Sequence, residues 1–278
     1  MPTHHRHGRH EYGQNFLTDR PTINTLVDRV ARTEGPIIEI GTGDGALTLP
    51  LQELGRRLTG IEIDDRRAAR LARRTNALTT IVHADFLHYR LPVTPYVLVG
   101  NLPFHETTPM LRRILRSPGW TDAVLLVQWE VARRRAGVGG ATLMTAQWWP
   151  WFEFGLVSRV PAAAFRPRPN VDGGVLTITR REPPLLPPAE QKPYQDFAHR
   201  VFTGKGRGLP RIIAAAAPEL PGQRVAQWVR RQGIGPGQLP KDLIAEQWSD
   251  LFSLGNRDAH PGQRSAPPVR RTRRTGRR

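Results

Sequence analysis

Two stretches of the chain carry the residue types and spacing that small-molecule chemistry requires. The first is Glu39-Ile40-Gly41-Thr42-Gly43-Asp44-Gly45, which follows a short apolar run. Gly41, Gly43 and Gly45, with Thr42 among them, let backbone approach a ligand closely at the carboxyl end of a strand. The pattern is E-x-G-x-G-x-G, not the G-x-G-x-x-G of dinucleotide enzymes, and a tight turn without a ligand would also produce it. Three further residues narrow the reading. Glu62 ends the next apolar run, where a carboxylate can accept from both hydroxyls of a ribose. Asp85 follows the third run, placed to accept from an adenine amine, and Phe86 beside it can cover the base. Either acid alone reads as a strand-end carboxylate or a helix cap. Together with the glycines, on successive strand ends, they point to a nucleoside-bearing cofactor. No Lys or Arg stands in the glycine turn to clamp a phosphate, so S-adenosylmethionine is the natural candidate.

The second stretch is Asn101-Leu102-Pro103-Phe104, after the fourth apolar run. An adenine amine is a poor nucleophile because its lone pair is delocalised into the ring. Acceptors at the Asn101 side-chain oxygen and a rigid main-chain carbonyl would bend that amine toward tetrahedral geometry, with acceptors waiting where charge develops. Pro103 restricts Leu102 and stiffens the turn. Phe104 offers a face on which a flipped base can stack. A methyl on a sulfonium is already activated, so alignment suffices, and no metal is expected. A lone Asn-Leu-Pro-Phe turn after a strand would persuade little; here it falls where the cofactor's methyl should point.

These residues need a scaffold that brings strand ends together. Strands over 37–40, 58–63, 79–83, 96–100 and 123–128 alternate with helical patterns over 46–54, 66–76 and 107–116, which predicts an α/β fold with a parallel sheet and crossover helices. Stretches 151–160 and 174–180 read as an antiparallel pair at the sheet's edge. The expected organisation is a polar N-terminus over 1–10, a catalytic domain over 11–182, a stiff Pro-rich linker over 183–190, a small all-helical domain over 191–256 and an Arg-rich disordered tail over 257–278. Helices are expected over 191–202, 209–217, 224–232 and 240–254.

Composition bounds the partners. The chain has 278 residues, no cysteine and a net charge of +17 from 41 basic and 24 acidic residues. Disulfides and thiolate metal sites are excluded. The charge favours a polyanion, since each phosphate neutralised releases a counterion. No apolar run is long enough to span a membrane and none reads as a secretory signal, so a cytoplasmic protein is expected.

At this point the sequence closely resembles the ribosomal RNA adenine N6-methyltransferases, which comprise the Erm resistance enzymes and the small-subunit dimethyladenosine transferases. The resemblance runs from about Glu11 to Leu254 and adds two motifs. Gly13-Gln14-Asn15-Phe16-Leu17 matches the family's N-terminal signature, and Ala164-Phe165-Arg166-Pro167-Arg168-Pro169-Asn170-Val171-Asp172 is similar to its F-x-P-x-P-x-V segment. The resemblance implies a Rossmann-like S-adenosylmethionine-dependent methyltransferase sheet with a small C-terminal helical domain. It implies that Gln14, Asn15, Leu17 and Asn101, with Ile63 beside Glu62, join the cofactor set, and that Asn101, Leu102, Pro103, Phe104 and Phe165 are catalytic. Phe165 would sandwich the target base opposite Phe104; a core aromatic is the plain alternative.

Val201-Phe202-Thr203-Gly204-Lys205-Gly206-Arg207-Gly208-Leu209 and the Arg-rich tail resemble the actinobacterial Erm branch. This implies N6-methylation of one adenine of 23S rRNA before ribosome assembly is complete, by a monomer, and resistance to macrolides, lincosamides and streptogramin B. The alternatives are a small-subunit dimethyladenosine transferase and, in another class, a noncatalytic nucleic-acid-binding protein on the same fold. The chain departs from the family at His105-Glu106, at Trp129 where a Lys is usual, and at Asp172-Gly173-Gly174. Candidate RNA contacts are Arg112, Arg133, Arg134, Arg166, Lys205 and Arg207, with a solvated helix face as the plain reading of the first three. His4, His5, His7 and His10 read as a flexible polar start, not a metal site. The tail arginines add nonspecific phosphate attraction.

Overall fold

A computed structural model of the chain describes residues 15–256. Gln14, the polar N-terminus and the Arg-rich tail lie outside the described residues.

Nine strands and ten helices are described: β1 (Phe16–Leu17), α1 (Arg20–Ala31), β2 (Ile37–Ile40), α2 (Thr48–Gln52), β3 (Leu58–Glu62), α3 (Asp65–Ala72), β4 (Thr79–His83), β5 (Tyr96–Asn101), α4 (Thr107–Arg116), β6 (Trp120–Gln128), α5 (Trp129–Arg135), α6 (Leu143–Trp148), β7 (Phe152–Val160), β8 (Phe165–Arg166), β9 (Gly173–Arg180), α7 (Gln191–Thr203), α8 (Leu209–Ala216), α9 (Gly222–Arg231) and α10 (Ala245–Asn256). The main sheet has the order β4-β3-β2-β5-β6-β9-β7. Strands β4 to β6 pair in parallel, and β9 and β7 add antiparallel. This is the expected α/β architecture, with the antiparallel pair at one edge. The chain order reverses between β2 and β5, so the carboxyl ends of these strands flank a crevice where open α/β sheets bind ligands.

Both faces of the sheet are buried, as the near-continuous apolar strands require. Ile37, Val97, Val99, Val124 and Leu126 face α1 and α2, where Leu26, Val30, Leu51 and, just before α2, Leu47 cover them. Ile38, Leu98, Leu125, Val127 and Leu176 face the other way, onto α4 and the C-terminal helices. That second cluster continues without a break through Trp151 and Tyr194 to Trp228 and Trp248. The Pro-rich stretch before α7 is therefore packed down: Leu186 is buried and the Leu185 N–H donates to the Pro150 carbonyl.

Helix α1 was not anticipated, although its signal is present. Asp19 caps it by accepting from Thr22 N, Pro21 stands in its first turn, and Ile23, Leu26 and Val30 form one buried stripe. The single helix expected over 240–254 is broken: a short 3-10 turn at Pro240–Asp242 precedes α10. Pro240 has no N–H to donate, which favours a separate turn there.

Gly100 lets β5 close on β2 immediately before Asn101. A Cβ there would lie 2.6 Å from the Ile40 carbonyl oxygen and 3.0 Å from Ile40 Cβ. Gly100→Ala is expected to lower unfolding stability by about 1–3 kcal/mol, read as a reduced urea midpoint. An unchanged midpoint would show that the two strands can part without loss.

Candidate active site

The carboxyl ends of β2, β3 and β5 and the N-terminal segment enclose a cavity of about 350 Å³ lined by Asn15, Leu17, Gly41, Gly43, Glu62 and Asn101, among others. That volume is in the range of small-molecule sites. Gly41 has φ +71° and nothing within 4 Å of where a Cβ would sit, so this glycine leaves open space on the cavity wall. Gly45 lines the cavity too, and at φ +91° a Cβ there would come 2.5 Å from Leu71 Cδ1, so packing also requires this glycine.

Glu62 holds the glycine turn. Its Oε2 accepts from Gly43 N at 2.7 Å, its Oε1 accepts from Asp64 N at 3.0 Å, and the residue is buried. A carboxylate offers about four lone-pair sites, so these bonds leave acceptor capacity toward the cavity. Glu39, one strand away, is fully buried and lines the same cavity, and its Oε2 has no hydrogen-bond partner. Burial pushes its carboxyl up to about 8, only partly offset by Thr48 beside it, and the neighbouring Glu62 raises it further.

Asn101 ends β5, and its side-chain Nδ2 donates to the Asn15 main-chain carbonyl at 2.7 Å. A carbonyl can only accept, so the amide NH₂ is fixed on that side and Oδ1 is left facing away as an acceptor. Leu102 N donates to Leu126 O at 2.9 Å, and the Pro103 carbonyl accepts from Glu106 N and Thr107 Oγ1. The four-residue turn is thus tied to β6 at one end and to α4 at the other.

The N-terminal segment that supplies Asn15 is clamped in turn. β1 pairs antiparallel with β8, setting Leu17 opposite Phe165 and Phe16 opposite Arg166, and Thr18 bonds to Ala164 O through both N and Oγ1. The Phe16 ring stands against Gly43, and the Arg67 guanidinium lies over that ring at 4.3 Å while pairing with Asp44 at 2.7 Å.

Several expected site residues stand elsewhere. Phe165 is fully buried, and its ring leans on Phe104 edge to face at 5.7 Å between centroids. Two rings in contact leave no slot between them, so Phe165 backs Phe104 and the expected sandwich is absent in this conformation. Phe86 is buried in the core under Arg113, not over the cavity. Asp85 and Ile63 are not among the cavity-lining residues. The Asp85 carboxylate accepts from Leu87 N and pairs with His88 Nδ1 at 2.7 Å. Thr42 is buried and does line the cavity.

Of the candidate RNA contacts, Arg112, Arg134, Arg166, Lys205 and Arg207 are exposed. Arg133 is engaged, donating to both Glu130 oxygens and to Val138 O. Sequence reasoning did not place Arg74 at the cavity. It reaches there from beyond α3, donating to Asp44 O at 3.1 Å, and no local pattern marks a residue so placed. Among the described residues no His, Asp and Glu cluster could hold a metal ion, and no helix is long and apolar enough to cross a membrane.

The sequence matches the ribosomal RNA adenine dimethylase family over residues 5–256. It is 58% identical over 208 residues to an rRNA adenine N-6-methyltransferase of Corynebacterium diphtheriae, covering 74% of this chain and 82% of that protein. It is 46% identical over 261 residues to the mycinamicin-resistance protein MyrB of Micromonospora griseorubida, covering 92% of this chain and 83% of that one. The crystal structure of the 23S rRNA methyltransferase ErmE superposes with a TM-score of 0.79 at 32% identity, covering 87% of this chain and all of that one.

The raised Glu39 carboxyl carries a stability consequence. Between the ordinary carboxylate value of 4.5 and about 8, the folded chain keeps a proton that the unfolded chain has released. The contribution is therefore complete at low pH and is lost as the pH rises through that window. Glu39→Gln, studied without added ligand, is expected to gain stability over the parent as the pH rises from about 5 to about 8, by on the order of 2–4 kcal/mol at the upper end. Urea unfolding at several pH values measures it, and a stability difference independent of pH would contradict the assignment.

Proposed function

The chain belongs to the ribosomal RNA adenine dimethylase family, and from that premise we propose that it transfers methyl groups from S-adenosylmethionine to N6 of one adenine in 23S rRNA. The observation that carries the chemistry is the Asn101 amide, pinned by Asn15 so that its oxygen faces the reaction space.

The cofactor fits the residues present. The cavity is of suitable size, Gly41 leaves its wall open, and Glu62 is placed to accept from ribose hydroxyls. Asn15, Leu17, Thr42 and Gly43 would complete the cradle. When bound, the sulfonium supplies an activated methyl group, so the protein needs no covalent nucleophile. This chain's own residues do the positioning. The Asn101 oxygen and the Leu102 carbonyl accept the two amine hydrogens, which localises the nitrogen lone pair. Phe104 gives the extruded base a stacking face, and the buried Phe165 ring holds Phe104 in place. Asp85 would reach the cofactor adenine only by exchanging its bond with His88.

The proposed division of labour sets residues 11–182 as the catalytic part and 191–256 as an RNA-binding part. Arg112, Arg134 and Arg166 on the former and Lys205 and Arg207 on the latter are exposed and would meet phosphates, Arg166 while also donating to the Ala163 and Phe165 carbonyls. N6-methylation would remove a hydrogen-bond donor and add bulk where macrolides bind, conferring resistance to macrolides, lincosamides and streptogramin B. The 46% identity to a mycinamicin-resistance protein supports that reading over the small-subunit enzyme. We further propose that the protein acts as a cytoplasmic monomer on incompletely assembled ribosomes.

Transfer of labelled methyl from S-adenosylmethionine to two substrates tests this. Label at a single adenine of protein-free 23S rRNA is expected. Label only in assembled small subunits would instead make the protein a small-subunit enzyme, and label in neither would leave a nucleic-acid-binding protein.

A further inference from the structure

Trp129 opens α5 just beyond the carboxyl end of β6, three residues after Leu126, the strand partner of Asn101. Most tryptophans of the chain are buried: Trp120, Trp148, Trp151, Trp228 and Trp248 all belong to the core. Trp129 is half-buried at the end of the sheet that carries the catalytic turn.

Its surroundings are shaped around it. A Cβ on Gly174 would lie 3.1 Å from Trp129 Cε3 and 2.7 Å from Ala132 Cβ, while a Cβ on Gly173 would lie 3.0 Å from Phe165 Cζ. The two glycines are consecutive on β9, so they face opposite sides of the strand. One makes room for the Phe165 ring and the other for Trp129. The two departures from the family pattern, Trp129 and Asp172-Gly173-Gly174, are therefore one steric unit. The Arg159 guanidinium lies over the indole at 5.3 Å and is held there by Asp172 at 2.8 Å, and the Asp172 carbonyl accepts from Trp129 N. Asp172 also accepts from Ala162 N, ahead of the Phe165 segment.

The rim is cationic. Arg134, Arg166 and Arg168 are exposed, and Arg159 keeps 61% of its side chain exposed despite its ion pair. An aromatic ring with a guanidinium layered over it, on a surface with further exposed arginines, is an arrangement that suits an unstacked base and its phosphates.

Resting on the function proposed above, we propose that Trp129 and Arg159 form a stacking platform for an unpaired nucleobase next to the target adenine. Extruding a base costs its neighbours their stacking partner. The platform returns that partner at a site three residues along the chain from Leu126, the strand partner of Asn101. It is a binding device for RNA alone, separate from the cofactor cavity.

The test uses the whole protein and a short 23S rRNA hairpin that contains the target adenine, intact or with an abasic site at its 5′ or 3′ neighbour. RNA KM is measured for the parent, Trp129→Ala, Trp129→Leu and Trp129→Phe, with cofactor affinity as the check on folding. Leucine keeps apolar contact with Gly174 but has no aromatic face. On intact RNA, Trp129→Ala and Trp129→Leu are expected to raise KM roughly 5- to 100-fold, with Trp129→Phe close to the parent. On one of the two abasic RNAs that difference should vanish. An equal penalty on intact and both abasic RNAs, or a Trp129→Leu protein that behaves as the parent, would overturn the platform alone. A parent protein that binds cofactor but methylates no RNA would overturn the functional reading and the platform with it.

Discussion

A hydrogen bond between two asparagines decides which end of an amide faces the chemistry. Asn101 Nδ2 donates to the Asn15 carbonyl at 2.7 Å. Main-chain carbonyls have no proton to give, so the Asn101 amide has one orientation in which the bond exists. That orientation presents an oxygen acceptor and withholds the NH₂ that would repel an incoming adenine amine. Much of the surrounding structure serves to keep Asn15 where it must be. β1 is paired with β8, Thr18 is bonded to Ala164, and Phe16 is pressed between Gly43 and the Arg67 guanidinium. The segment far from Asn101 in sequence is thereby made part of the same rigid turn.

The cavity beside it concentrates acidic groups in a place that resists charge. Glu62 offsets its burial by accepting from two main-chain N–H groups, which at the same time lock the glycine turn. Glu39 has no such compensation for Oε2, and its carboxyl is pushed up to about 8. Buried ionisable groups of this kind collect at functional sites because binding requires them and folding alone does not. Both groups line the same cavity, so its wall presents carboxyl groups to whatever ligand it holds.

Much of this was legible in the sequence. The glycine turn, the carboxylates at strand ends and the Asn-Leu-Pro-Phe turn all lie at the carboxyl end of a parallel sheet, because period and punctuation report local structure directly. Family membership accords with the resemblance. What the sequence did not reveal depends on residues distant along the chain. The Asn15–Asn101 bond joins positions 86 apart, and the pairing of β1 with β8 has no local signature. The resemblance sets Phe165 beside the base, and the structure shows it buried and edge to face with Phe104, a tertiary contact that no local pattern reports. The partnership of Trp129 with Gly174 shows the converse. Two departures from a family pattern that look unrelated in sequence become one packing arrangement between α5 and β9. Helix α1, by contrast, has a cap, a proline and an apolar stripe that are all local signals.

The central claim is that the Asn101 oxygen acts on the target amine. Single-turnover methyl transfer by Asn101→Ala, with RNA and cofactor affinities measured on the same protein, tests it most directly. A loss of about 100-fold or more in the transfer rate at saturating cofactor, with RNA affinity retained, is the predicted result. Transfer within a few-fold of the parent protein would contradict it.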